Sequence, residues 1–324
     1  MSAFDLEGLK EALDTSADEK EPLESADLKG IAEFIKKGHA KNIITMCGAG
    51  ISTAAGIPDF RSADSGIYNT LKEFDIPSVE AAMSTKYLKI NPKPFFEICR
   101  RLYRPDAKPT LGHQFIKLLD DKHLLRRHYT QNVDGLERLT GLDVDKLIEA
   151  HGTFSVGHCM KCHKPYDFEY MKERILGKRV PTCSAANCEG VIKPDIVAFG
   201  DPLPDRFYGS LQTDFPQCDL LIIMGTSLCV APFCNLIHLV GKTVPRLYLN
   251  HEAPPMGFDS IPWNDPTNRR NVFVSGNIDD AVLKLTDFLG WKSDLVNMKE
   301  TTDAHLTKSS AQNPATTDSG DSRR

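Results

Sequence analysis

Ile43-Ile44-Thr45-Met46-Cys47 is a nearly unbroken apolar run that stops at Gly48-Ala49-Gly50. Such a run reads as a strand buried on both faces, as the strands of a parallel sheet covered by helices are. Leu220 to Met224, Arg246 to Leu249 and Val272 to Val274 have the same character, and Tyr129-Thr130-Gln131 closes another run. Helical patterns separate them. Leu28, Ile31, Ala32 and Ile35 recur at i, i+3, i+4 and i+7, with Asp27 placed to cap that helix and Gly38 to end it. Pro94 to Tyr103 and Leu111 to Leu119 repeat the pattern, and Asp279 to Leu289 predicts a closing helix with Trp291 packed behind it. The alternation predicts an α/β fold with a Rossmann-like, doubly wound parallel sheet.

Glycines at 48 and 50 allow a backbone to approach a pyrophosphate closely. The dinucleotide fingerprint is nevertheless incomplete. Thr53 stands where the third glycine belongs, and Gly56-Ile57-Pro58-Asp59-Phe60-Arg61-Ser62 replaces a plain helix. An acidic ribose clamp belongs about 20 residues further on, at a strand end. Asp75 has nearly that spacing but falls in a helical, proline-containing stretch.

Ligands of parallel sheets bind beyond the carboxyl ends of the strands. Polar residues recur there in this sequence: Gln131, Asn132 and Asp134 in TQNVDG, His151 in LIEAHG, Thr226 and Ser227 in IIMGTS, and Asn250 and Glu252 in LYLNHE. Each alone is ordinary turn chemistry. Together they point to one cleft.

Cys159 and Cys162 form one short knuckle, and Cys183 and Cys188 form another after 20 intervening residues. Two such pairs bring four thiolates to a tetrahedral Zn²⁺. His158 and His163 are alternative ligands, but four sulfurs make the simpler site. Four protein ligands leave no open position, so the ion is expected to be structural. A ribbon that reads nucleic acid is the competing idea. Asp167, Glu169 and Glu173 interleave with the nearby lysines and arginines, and the formal net charge is −5, so no direct nucleic-acid binding is expected.

No apolar run approaches the roughly 20 residues that span a bilayer. The start of the chain is acidic and lacks an apolar signal core, so the expected location is cytoplasmic, with a nuclear fraction possible in principle. Nine cysteines in a reducing compartment suit metal or buried thiols rather than a disulfide framework.

Taken together, GAGIS, GIPDFRS, TQNVDGLE, the His151-Gly152 pair, the two cysteine pairs, KPDIVAFGD and GTSLCVAP resemble the sirtuin family, over about residues 26 to 292. GIYNTL, NPKPFF, DKHLL and LGWK look most like its class I, sirtuin-2-like branch. The resemblance implies NAD-dependent protein-lysine deacetylation. NAD is consumed as a co-substrate, and one structural Zn²⁺ is bound. The acyl-lysine carbonyl oxygen attacks the ribose carbon as nicotinamide leaves. His151 acts as general base on the ribose hydroxyls, the 2′-oxygen attacks the alkylamidate, and water completes transfer of the acetyl group to ADP-ribose.

By the same resemblance, Asn132 joins His151 as a catalytic residue. Gly48, Ala49, Gly50, Thr53, Asp59, Phe60, Arg61, Gln131, Asn132, Val133, Asp134, Gly225, Thr226, Ser227, Asn250, Glu252 and Ile278 match cofactor-contacting positions. Phe60 shields the reacting carbon, which answers why a stiff aromatic loop follows the glycines. Val197 and Phe199 flank the acyl-lysine, and the extended DIVAFG segment is expected to pair with the substrate backbone as an added strand. The implied partners are acetylated proteins such as histone tails or tubulin, with no membrane. Ala198, Asp201 and the stretch Gly276-Asn277-Ile278-Asp279 depart from the family pattern, which bears on substrate preference and the adenine end. Removal of longer acyl groups, mono-ADP-ribosyl transfer and a non-catalytic NAD-responsive binding role are the alternative functions.

The expected organisation is a flexible acidic segment at 1–25, a catalytic domain at 26–296 and a disordered tail at 297–324. The catalytic domain divides into a large part (about 26–62, 108–157 and 195–292) and a small part made of a helical module (about 63–107) and a zinc module (about 158–194).

Overall fold

The computed structural model describes residues 8, 23–59, 67, 76, 78–254, 261, 263, 265 and 267–312. Nine strands lie among them: β1 Ile43–Cys47, β2 Leu125–Thr130, β3 Leu147–Glu149, β4 Gly152–Cys159, β5 Pro165–Asp167, β6 Ile192–Ile196, β7 Leu220–Met224, β8 Arg246–Asn250 and β9 Asn271–Ser275. The helices are α1 Leu28–Lys36, α2 Val79–Ala82, α3 Thr85–Leu88, α4 Lys93–Leu102, α5 Leu111–Asp121, α6 Leu136–Leu139, α7 Phe168–Leu176, α8 Asp205–Asp214, α9 Ile278–Leu289 and α10 Lys292–Gln312.

Six strands form one sheet in the order β3-β2-β1-β7-β8-β9, and every pair in it is parallel. Counted within that sheet alone, the order is 3-2-1-4-5-6, which is that of a doubly wound dinucleotide-binding domain. All five residues of β1 and of β7 are buried, as their apolar runs require. One face of the sheet packs on α1, α5 and α9 through Ile31, Phe115, Leu119, Val282 and Leu285. The other packs on α8 and a 3₁₀ segment, Phe233–His238, through Phe207, Leu211, Phe233 and Ile237. Asp27 caps α1 by accepting from the Gly30 N–H at 2.8 Å, and Leu28, Ile31, Ala32 and Ile35 form its buried face.

A second, antiparallel sheet, β5-β4-β6, interrupts the chain between β3 and β7. The helices α2 to α4 interrupt it between β1 and β2. These two insertions share a third core: Phe95, Ile98 and Leu102 from α4 meet Phe154, Tyr166, Met171 and Ile192. The small module is therefore assembled from segments far apart in sequence.

Residues 297–312 differ from the expected disordered tail at 297–324. Residues 292–312 form α10, and Leu295 is fully buried with Met298 against the α5 and α9 core. Lys122 Nζ pairs with Asp294 at 2.8 Å and lies over the Trp291 ring, while Lys108 Nζ donates to Thr307 Oγ1 at 2.7 Å. Anchors at Asp294, Leu295 and Met298 near its start, and at Thr307 further along, hold this helix. Residues 313–324, most of the segment 1–25, Asp75, Phe60 and Arg61 lie outside the described residues. None of the described helices is long and apolar enough to cross a membrane.

Candidate active site

The strand order reverses between β1 and β7, the switch point beyond whose strand ends sheets of this kind bind their ligands. Gly48 N–H donates to Met224 O at 3.2 Å and Gly50 N–H to Gly225 O at 2.8 Å. The sequence suggested that Gly50 makes room for a phosphate. Its more immediate reason is packing between the two loops. A Cβ on Gly50 would lie 2.7 Å from the Gly225 Cα, and one on Gly225, at φ +63°, would lie 2.4 Å from the Ile51 nitrogen. The chain then makes two 3₁₀ turns, Ala49–Ile51 and Thr53–Ala55, in place of a long helix.

A cleft of about 1250 Å³ opens beside these turns. Gly48, Ala49, Gly50, Thr53, Asp59, Gln131, Asn132, Val133, Asp134, His151, Gly225, Thr226, Ser227, Asn250, Glu252 and Ile278 all line it, and so do Val197 and Phe199. The four polar strand ends thus meet in one space. Gln131 Nε2 donates to Thr226 Oγ1 at 2.7 Å, and Asn250 Nδ2 donates to Glu252 O at 2.7 Å.

His151 follows β3, and its Nδ1 lies 3.0 Å from Gln131 O. A carbonyl only accepts, so Nδ1 carries the proton and Nε2 is left as an acceptor. Burial pushes its pKa below the ordinary histidine value, and the hydrogen bond to Gln131 offsets this in part. The imidazole is therefore neutral near pH 7, as a general base must be.

Asn132 is 8 % exposed and donates from Nδ2 to Gly48 O and to Ser52 Oγ, each at 3.2 Å. Ser52 Oγ in turn donates to Asp134 Oδ2 at 2.8 Å, and Leu136 N–H donates to Asp134 Oδ1 at 3.0 Å. Behind Ser52 stands His113. Thr110 N–H donates to its Nδ1 at 3.1 Å, so the proton sits on Nε2, which faces Ser52 Oγ at 3.5 Å. Burial pushes the His113 pKa down to about 4, which keeps the ring neutral. The sequence reading passed over Ser52 and His113. Ser52 was visible inside GAGIS, but nothing in the sequence ties it to His113.

Val197 N–H donates to His151 O at 2.8 Å and Phe199 N–H to Met83 O at 2.9 Å, so this segment bridges the sheet domain and the small module. Both N–H groups are committed. A substrate strand would need other partners along 192–199. Phe199 keeps 45 % of its surface exposed at the rim of the cleft, which leaves an apolar face for a ligand.

The four cysteines lie elsewhere, in the small module: Cys159, Cys183 and Cys188 belong to its core, and Cys162 is exposed. One sulfur from each of Cys159, Cys162, Cys183 and Cys188 falls within 4.8 Å of all the others, with Cys159–Cys188 at 3.5 Å and Cys162–Cys183 at 3.6 Å. Tetrahedral Zn–S bonds of about 2.3 Å require S···S separations of about 3.8 Å. Backbone N–H groups of Lys161, Cys162 and Ala185 point at these sulfurs at 3.4 Å, which suits thiolates. The donor set suits one Zn²⁺ and leaves no vacancy for water. His158 is not among the ligands, since its Nδ1 faces Asp195 Oδ1 at 2.8 Å.

Comparison with known proteins agrees with this geometry. A family model described as "Sir2 family" matches residues 48–232. The chain is 46 % identical over 287 residues to a Danio rerio protein named NAD-dependent protein deacetylase sirtuin-2, covering 85 % of this chain and 75 % of the relative. It is 44 % identical to Dictyostelium discoideum NAD-dependent deacetylase sir2A, over 87 % of this chain and 55 % of that protein. It is 41 % identical to Schizosaccharomyces pombe NAD-dependent protein deacetylase hst2, over 88 % and 82 %. On motifs, cleft and similarity together, the chain belongs to the Sir2 family.

Proposed function

We propose that this protein is an NAD-dependent protein-lysine deacetylase that transfers the acetyl group to ADP-ribose and releases nicotinamide. The observation that carries the reading is the meeting, in one cleft at the sheet's switch point, of His151, Asn132 and Asp134 with the Val197–Phe199 segment. When bound, NAD supplies a glycosidic bond whose leaving group is neutral nicotinamide.

The chain's residues have separable tasks in this reading. Gly48, Gly50 and Gly225 let the β1 and β7 loops close on each other and leave the switch point open for a dinucleotide. Asp134, held by Ser52, hydrogen-bonds the nicotinamide carboxamide, and Asn132 and Val133 line the same end. Gln131, Thr226, Ser227, Asn250, Glu252 and Ile278 hold the rest of the nucleotide. Phe60 and Arg61 would cover the reacting end, a role that rests on the sequence motif alone. His151 Nε2 takes a proton from a ribose hydroxyl, since Nδ1–H is tied to Gln131 O. Val197 and Phe199 flank the acyl chain. The gain over solution comes chiefly from alignment of two bound reactants. The four cysteines hold zinc remote from these steps and fix the small-module wall of the cleft.

The substrates are acetylated proteins, with histone tails and tubulin suggested by the family resemblance, and the proposed location is the cytoplasm with a nuclear fraction. The deciding assay mixes the protein with an acetyl-lysine peptide, with and without NAD, and follows nicotinamide and free lysine by mass spectrometry. Equal amounts of both, only with NAD, are expected. Deacetylation without NAD, or nicotinamide release with no peptide product, would defeat the reading.

A further inference from the structure

Behind the Asp134 end of the cleft lies a second carboxylate that the proposed chemistry leaves unused. Glu137, on α6, is 3 % exposed, and its Oε1 has no hydrogen-bond partner. One oxygen of Glu137, one of Asp134 and one ring nitrogen of His113 all lie within 4.8 Å of one another. His128 on β2 completes the group. Its Nε2 faces Glu137 Oε1 at 3.5 Å, and its Nδ1 lies 2.7 Å from Thr45 Oγ1. Two carboxylates so close, one of them buried, do not ionise independently.

We propose that Glu137 is a positioning residue for the nicotinamide end of the cleft: its buried carboxylate shares one negative charge with Asp134, and so sets the protonation in which Asp134 meets the ligand's carboxamide. The inference rests on the functional reading above.

The surroundings divide the pair unequally. For Asp134, burial and then the Glu137 charge raise the pKa, against the Leu136 N–H and the Ser52 hydroxyl. For Glu137, burial alone would also raise it, but the neighbouring His128 leads the groups that outweigh burial and hold it low. Glu149 on β3 adds to the effect on Asp134, while Cys47 at the end of β1 and Arg138 beside Glu137 also face the pair. Glu137 keeps the charge, and Asp134 takes up the proton. His113, neutral and hydrogen-bonded to Thr110, cannot relieve the pair by charging near pH 7.

The test is calorimetric binding of free nicotinamide to the full-length, zinc-loaded protein between pH 5 and pH 9. In the wild type, affinity should change across a midpoint above the ordinary carboxylate range. In Glu137→Gln, which keeps the shape and removes the charge, that midpoint should move to lower pH by about one unit or more. In Asp134→Asn that midpoint should vanish. Measurable wild-type binding that is flat with pH overturns the inference, as does an unmoved midpoint in Glu137→Gln or the same midpoint surviving in Asp134→Asn. If Glu137→Gln does not fold, a flat wild-type profile or the same midpoint in Asp134→Asn still overturns the inference. Absence of nicotinamide binding at every pH would instead overturn the functional reading together with this inference.

Discussion

The four-cysteine ribbon and the nucleotide cleft both gather polar groups into one place, but they satisfy them in opposite ways. In the ribbon, four sulfurs face one another at the spacing of a tetrahedral ion, with backbone N–H groups turned toward them. Nothing there is left to bind a substrate. In the cleft, the central polar side chains are anchored on one side and still face the cavity: His151 is tied at Nδ1 and open at Nε2, and Asp134 accepts from Ser52 and Leu136 beside an open cavity. A closed donor set stabilises a fold, whereas a half-satisfied one, held rigidly, does chemistry.

The contrast can be broken most severely at the ribbon. Cys183→Ser should release zinc and destabilise the protein by roughly 4 kcal/mol or more, among the larger effects of a single substitution. Metal analysis with thermal melting checks this, and a zinc-free variant with an unchanged melting curve would make the cluster incidental. His151→Ala should lower kcat/KM by about 10²- to 10⁴-fold while the melting temperature stays near that of the wild type. If stability falls along with activity, the imidazole is a packing group. Gly225→Ala sits between the two regimes. It forces a Cβ at positive φ against Ile51, and should cost about 2 kcal/mol of stability and weaken nucleotide binding. Melting and calorimetry on one sample separate those losses. The smallest effect is in pH. Burial lowers the His151 pKa, so the base stays neutral to a lower pH than a free histidine. The acid limb of kcat/KM should therefore fall below about pH 6.5, the unperturbed value. A limb above that pH, absent in His151→Ala, would contradict the assigned environment.

What the sequence carried follows from range. The strands announced themselves by apolar runs, α1 by a four-residue stripe and a capping aspartate, and the metal cluster by two cysteine pairs. All are patterns within a few residues. The cleft's polar lining was legible because it repeats at strand ends, where topology alone brings it together. The support behind that lining was not. Ser52 and His113 are 61 residues apart, and His128 reaches Thr45 across 83, so no local pattern joins them. The terminal helix was missed for a related reason: its polar composition resembles a loose tail, and Leu295 and Met298 with distant Lys108 and Lys122 are what hold it.

The central claim is that a modified lysine's carbonyl oxygen is held against the ribose carbon that nicotinamide leaves. Its most direct test uses a peptide whose acetyl carbonyl carries oxygen-18. After turnover with NAD and hydrolysis of the acetyl ester, mass spectrometry should find the label in ADP-ribose. Label confined to released acetate would mean that water cleaves the amide directly, and the account would be wrong.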